Sequence, residues 1–116
     1  MTTPGFLLDE HIPAAVGRAF AKRDPAIQVF AVGRPPAPAF GAADPELLRW
    51  IEDHNCLLVT NNRASMPTHL RDHLGEDRHV PGILVTSKGL SLGELGEQLL
   101  LVWGAGLPGE FHDQIV

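Results

Sequence analysis

One cysteine, no tyrosine and few cations set the first limits on this chain of 116 residues. With Cys56 alone there is no internal disulfide, and no zinc site built on two or more thiolates. Cys56 adjoins the apolar run Leu57 to Val59, where a small buried hydrophobe is the expected role of a lone thiol. No stretch approaches the roughly 18 uninterrupted apolar residues of a membrane span. The opening "MTTPGFLLDEH" lacks a cationic stretch followed by a long apolar one, so the expected location is cytoplasmic, with no membrane partner. Lys and Arg number 9 against 14 Asp and Glu, a net charge of -5. That balance excludes a broad basic surface for gripping nucleic acid. It does not exclude a nuclease, because a carboxylate metal site is itself acidic and the metal can bring in the phosphate. Also missing are G-x-S-x-G, the G-x-x-x-x-G-K-S/T phosphate loop and H-E-x-x-H. His69 and His73 stand four apart, but with Leu70-Arg71-Asp72 between them a solvated or capping pair is expected.

What is present reads as one soluble globular domain: 44% of residues are hydrophobic and 20% charged. Phe6 to Leu8 form a short apolar run, after which Ile12, Ala15, Val16, Ala19 and Phe20 recur at helical spacing. "AIQVFAV" alternates as a second strand, and the loop "GRPPAPAFGAA" is too rich in Pro and Gly for regular structure. In "DPELLRWIEDH" Asp44 is a natural N-cap, Pro45 suits the first helical position, and Leu47, Leu48 and Ile51 make an apolar stripe. "CLLVT" is apolar without alternation, as a strand covered on both faces requires. "SMPTHLRDHLGED" reads as a third helix ending near Gly75, and "PGILVTSKG" as a fourth strand centred on Ile83 to Val85. "SLGELGEQLLLVWGAG" carries a Ser91/Glu94 capping box and a further helix. The tail "FHDQIV" is expected to add a short edge strand. Strands alternating with helices imply a parallel α/β sheet with right-handed crossovers.

In such a sheet, whatever follows each strand lies at the carboxyl edge, where open α/β sheets bind ligands. That edge would receive Asp9 and Glu10, then Asp44 and Glu46 at a helix start, then Asn61 and Asn62, then Lys88. Close carboxylates repel unless a cation sits between them, and Mg²⁺ or Mn²⁺, hard ions that prefer oxygen, serve this purpose. Such a metal activates water and stabilises charge in phosphodiester cleavage. Asp44 and Glu46 have an alternative role as helix cap and dipole partner. Arg63 and Lys88 are the cations placed to touch a phosphate, and Arg63 could instead pair with Asp9 or Asp44 and replace the metal. His11 adjoins the same edge. Asn61 is expected to hold the turn after the strand with its side chain.

"FLLDEHIP", "DPELLRWIEDHNCLLVTNNR" and "HVPGILV" together resemble the small PIN-like domains, whose pattern is a strand ending in D-E-N/H-x-P, a helix near D-x-E and a strand ending in L-V-T-N-D-x-D-F. The resemblance covers nearly the whole chain. It implies a PIN-like three-layer α/β/α sandwich with a central, mostly parallel sheet of four to five strands. It further implies a divalent-metal-dependent ribonuclease similar to the toxins of toxin and antitoxin pairs. Asp9 would be the first metal carboxylate and Asp44 or Glu46 the second. The third carboxylate falls on Asn62 and a further Asp on Ala64, with Ser65 in place of the usual Phe. Asn62 would then be a weak neutral ligand beside the catalytic and metal-holding Asp9, Asp44 and Glu46. The other readings are an inactive PIN-like module that binds RNA or a protein partner such as an antitoxin, and a plain homo-oligomeric α/β protein.

Overall fold

A computed structural model describes residues 5–13, 15–23, 26–86, 94, 96–98 and 111–116. The elements follow in the order β1 (Gly5–Leu8), α1 (Ala15–Arg23), β2 (Val29–Ala31), α2 (Asp44–His54), β3 (Cys56–Thr60), α3 (Met66–Gly75) and β4 (Ile83–Val85). The strands form one sheet in the order β2-β1-β3-β4, and every pairing is parallel. This is an α/β sandwich with helices on both faces of a central parallel sheet, as the alternation of periods implies. β1 and β3 occupy the middle, which is why both are buried at every position and neither alternates with polar residues.

Register sorts the apolar residues into two cores. Leu7 aligns with Leu58, and Leu58 with Ile83; their side chains share a face with Leu47, Leu48 and Ile51 of α2 and with Met66 and Leu70 of α3. Phe6 aligns with Leu57, and Leu8 with Val59 and in turn Leu84; they face Ile12, in the turn after β1, and Val16 at the start of α1. Adjacent residues of a strand point to opposite sides, so a continuous apolar run feeds both layers at once.

The tail returns to the sheet through a single parallel bridge between Ile83 and Ile115, beside β4. Of the helix expected after Ser91, residues 94 and 96–98 are helical, while Ser91 of its capping box and its apolar face lie outside the described residues. α2 begins one residue earlier than its sequence suggests: Ala43 is the N-cap and makes no side-chain cap bond, so Asp44 is the first helical residue and not the cap. The Asp44 carboxylate is drawn sideways by partners from other elements. Among the described residues no helix is long and apolar enough to cross a membrane.

Candidate functional site

Asp9 follows β1 directly, at the carboxyl edge, and is 7% exposed. Its Oδ2 accepts the Thr60 hydroxyl at 2.8 Å and its Oδ1 the Glu10 N–H at 2.7 Å. Among the described residues no cation lies within ion-pair distance of it. With only neutral donors on it among the described residues, this buried carboxylate keeps most of its charge uncompensated, which is costly in a dry interior.

Thr60 ends β3, and its hydroxyl serves two groups at once. It donates to Asp9 and accepts the Asn62 N–H at 3.1 Å. The Asn62 side chain continues the chain of bonds: Nδ2 donates to Asp44 Oδ2 at 2.7 Å and to Ser65 Oγ at 2.7 Å, while Oδ1 accepts the Ser65 N–H at 3.3 Å. His69 Nε2 stands 3.5 Å from the same Asp44 Oδ2. A path of hydrogen bonds therefore runs from Asp9 through Thr60 and Asn62 to Asp44, with His69 within ion-pair distance at its end, joining the ends of β1 and β3 to the starts of α2 and α3.

This arrangement revises several residue roles. The turn after β3 is held by the side chain of Asn62; Asn61 supplies a backbone carbonyl, which accepts the Arg63 N–H at 3.0 Å. Asn62 presents nitrogen to Asp44, an amide orientation assigned from its bonding pattern. Arg63 is exposed and makes no ion pair among the described residues, so Asp44 is matched by an amide and a histidine and not by Arg63. Glu46 is exposed in the first turn of α2. Asp9, Asp44 and Glu46 do not gather as a set of three with ligand atoms within 4.8 Å, and Lys88 lies outside the described residues.

A cavity of about 280 Å³ opens beside Asp9, lined by Glu10, His11, Ile12, Arg34 and Phe40 among others. Phe40, from the Pro-rich loop, is 70% exposed at its rim. The ring is seated over Gly33, whose φ of +94° is a left-handed conformation and where an added Cβ would strike the ring. Glu10 Oε1 accepts the Gly41 N–H at 3.3 Å, which ties the loop to the end of β1. Arg34 and Phe40 are absent from the sequence-derived site. The one signal for them is the length of their loop, since long loops in compact domains are often functional.

The two histidines of α3 part company. His69 faces the acidic edge, whereas His73 is 5% exposed and its Nε2 lies 3.0 Å from Glu52 Oε1 and 3.2 Å from the His79 carbonyl. Glu52 also accepts Arg78 Nε at 2.9 Å and the His79 N–H at 3.3 Å. Burial pushes the Glu52 carboxyl up, but the bonds from Arg78 and the His79 N–H, with the charges of Arg78 and His73, outweigh it and leave the pKa below its ordinary value. This cluster fastens α2 to the segment before β4.

Another group joins that segment to the tail. Asp113 Oδ2 accepts His79 Nδ1 at 2.7 Å and lies 3.2 Å from His112 Nε2, and Asp113 Oδ1 accepts the Val80 N–H at 2.8 Å. No protein-family model, curated protein or solved structure matches the chain.

Proposed function

We propose that the protein is a PIN-like, divalent-metal-dependent ribonuclease whose acidic site has been reduced. The observation that carries this reading is Asp9: a buried carboxylate at the carboxyl edge of the central strand, held by a hydroxyl and an amide, with no described cation in ion-pair range. The donors are of the kind a hard cation takes, although Asp9, Asp44 and Glu46 are not gathered as a set within 4.8 Å. Asp9 and Asp44 offer carboxylate oxygens, and Mg²⁺ or Mn²⁺ prefers oxygen ligands. Asp9 and Asp44 would hold the ion, with Glu46 at the margin. When bound, it supplies charge stabilisation and an activated water for phosphodiester cleavage.

The chain's own residues account for the remainder. Thr60 fixes the Asp9 carboxylate, and Asn62 fixes Asp44. Arg34 and Phe40 border the cavity beside Asp9, a cation and an aromatic face of the kind that hold the phosphate and base of a single strand. Arg63, exposed just after β3, extends the cationic contribution along the same edge. The resemblance carries the reading on to the toxin of a toxin and antitoxin pair, with growth arrest on expression as its sign and relief by Asp9→Asn.

A second reading rests on a different observation. Asn62 Nδ2 already occupies Asp44 Oδ2, as a neutral partner in the place of a charged ligand. This favours an inactive module that binds RNA or a protein without metal. One set of measurements separates the two: calorimetry with Mn²⁺ and cleavage of single-stranded RNA by the wild type, Asp9→Asn and Asn62→Asp. The nuclease reading expects Mn²⁺ heat and cleavage that Asp9→Asn abolishes, with Asn62→Asp strengthening Mn²⁺ binding by on the order of tenfold. No Mn²⁺ binding, together with cleavage indifferent to Asp9→Asn, sinks it. Activity that appears only in Asn62→Asp identifies the inactive relative.

A further inference from the structure

At the opposite end of the sheet, His79, His112 and Asp113 bring three metal-ligating atoms within 4.8 Å of one another. His79 belongs to the segment leading into β4, so it lies at the amino edge of a parallel sheet, away from Asp9 and Asp44 at the carboxyl edge. From this group we infer that the protein holds a divalent transition-metal ion of the Zn²⁺ class between the β4 approach and the C-terminal tail.

The chemistry of the donors selects the ion. Two imidazole nitrogens and one carboxylate oxygen suit zinc and its neighbours, whereas Mg²⁺ and Ca²⁺ take oxygen sets. The geometry needs little change. Zn–N and Zn–O bonds of about 2.0 Å at tetrahedral angles place neighbouring ligand atoms about 3.3 Å apart. Asp113 Oδ2 stands 2.7 Å from His79 Nδ1 and 3.2 Å from His112 Nε2. An ion would take the place of the His79 N–H that now points at Asp113 Oδ2, with His112 Nε2 already close to the same oxygen.

The ligands are also oriented from behind, as metal ligands commonly are. Asp113 Oδ1 accepts the Val80 N–H, and the Asp113 N–H donates to the Val80 carbonyl at 2.9 Å. Asp113 takes a left-handed φ of +59°, a conformation that Asp tolerates and that keeps its carboxylate turned towards both histidines. His79 is gripped through its own backbone: its N–H donates to Glu52 and its carbonyl accepts from His73. Two chain segments more than thirty residues apart are thus held in register before any ion arrives. The ion would fasten the tail, whose Ile115 pairs with β4.

The test is calorimetry of the full chain with Zn²⁺ in a non-chelating buffer, with the melting temperature as a second readout. The wild type is expected to bind one equivalent and to melt higher with Zn²⁺. His79→Ala and His112→Gln each weaken binding by on the order of tenfold or more and remove the thermal shift. His54→Gln, an exposed histidine on α2, and Asp9→Asn, at the other edge, leave both readouts unchanged. His112 is more than half exposed, so its variant keeps the fold. Absence of saturable binding to the wild type, or binding that survives both His79→Ala and His112→Gln, overturns the inference.

Discussion

Thr60 shows how much depends on one side chain at the end of a strand. It is fully buried, and its single hydroxyl joins Asp9 to the backbone of Asn62. Replacing it with valine keeps the shape and the β-propensity but leaves a buried carboxylate oxygen and an amide N–H without their partner. Thr60→Val should cost about 1–3 kcal/mol in urea unfolding and loosen the edge on which Asn62 and Asp44 are arranged. An unchanged unfolding midpoint would show that water or another donor takes its place. Cys56 tests burial in another way. Desolvation pushes its thiol from 9.0 up to about 11. The folded state therefore favours the neutral thiol, a contribution fully present below the ordinary thiol pKa and lost as pH rises from about 9 towards 11. Alkylation with iodoacetamide at pH 8 should be slow in the native protein and fast in urea; equal rates in the two would contradict the buried, protonated thiol.

Among the elements, the short strand β4 is the most constrained from outside. It has three residues, yet it is paired on one side by β3 and met on the other by the tail. Gly82 makes this crossing possible. Its φ is +155°, and a Cβ there would lie 2.7 Å from both Leu57 Cδ2 and Phe111 Cβ and 3.0 Å from the Phe111 carbonyl. Gly82→Ala should therefore destabilise the protein by about 1–3 kcal/mol, with the melting temperature lowered and the loss centred on hydrogen exchange at Ile83 and Val85. Full protection at those two amides would show that the tail gives way without disturbing the strand. α2 and α3 are joined more firmly. Both pack on the core around Leu58, and Glu52, His73 and Arg78 tie α2 to the end of α3 and the segment after it.

For the whole molecule, the parallel sheet separates two chemistries. Residues that follow strands, Asp9, Thr60 and Asn62, meet at the carboxyl edge with the loop that carries Arg34 and Phe40. Residues that precede β4, together with the tail, meet at the amino edge, where His79, His112 and Asp113 gather. Oxygen donors dominate the first group and imidazoles contribute two of three candidate ligands in the second, so on the two proposals Mn²⁺ and Zn²⁺ would address different ends of one sheet. This is why Asp9→Asn and His112→Gln serve as controls for one another: each removes the response of its own edge and spares that of the other.

The sequence by itself determined the order of strands and helices, the burial of Leu57 to Val59 and the convergence of Asp9, Asp44 and Asn62 on one edge. These follow from periodicity, from apolar runs without alternation and from the rule that strand ends share an edge in parallel sheets. Capping by Asp44, turn-holding by Asn61 and the shared exposure of His69 and His73 were all inferred from local pattern, and each was decided differently: the first and last by partners distant in sequence, the turn by the neighbouring Asn62. Asp44 turned to Asn62, Asn62 took the turn, and His73 was buried against Glu52. Only the tertiary structure could place Arg34 and Phe40 beside Asp9, or bring His112 and Asp113 to His79. Local propensity ranks what a side chain can do within its own few residues. Which polar partner it meets depends on strand order and register, and a buried carboxylate or imidazole takes the partner that folding brings to it.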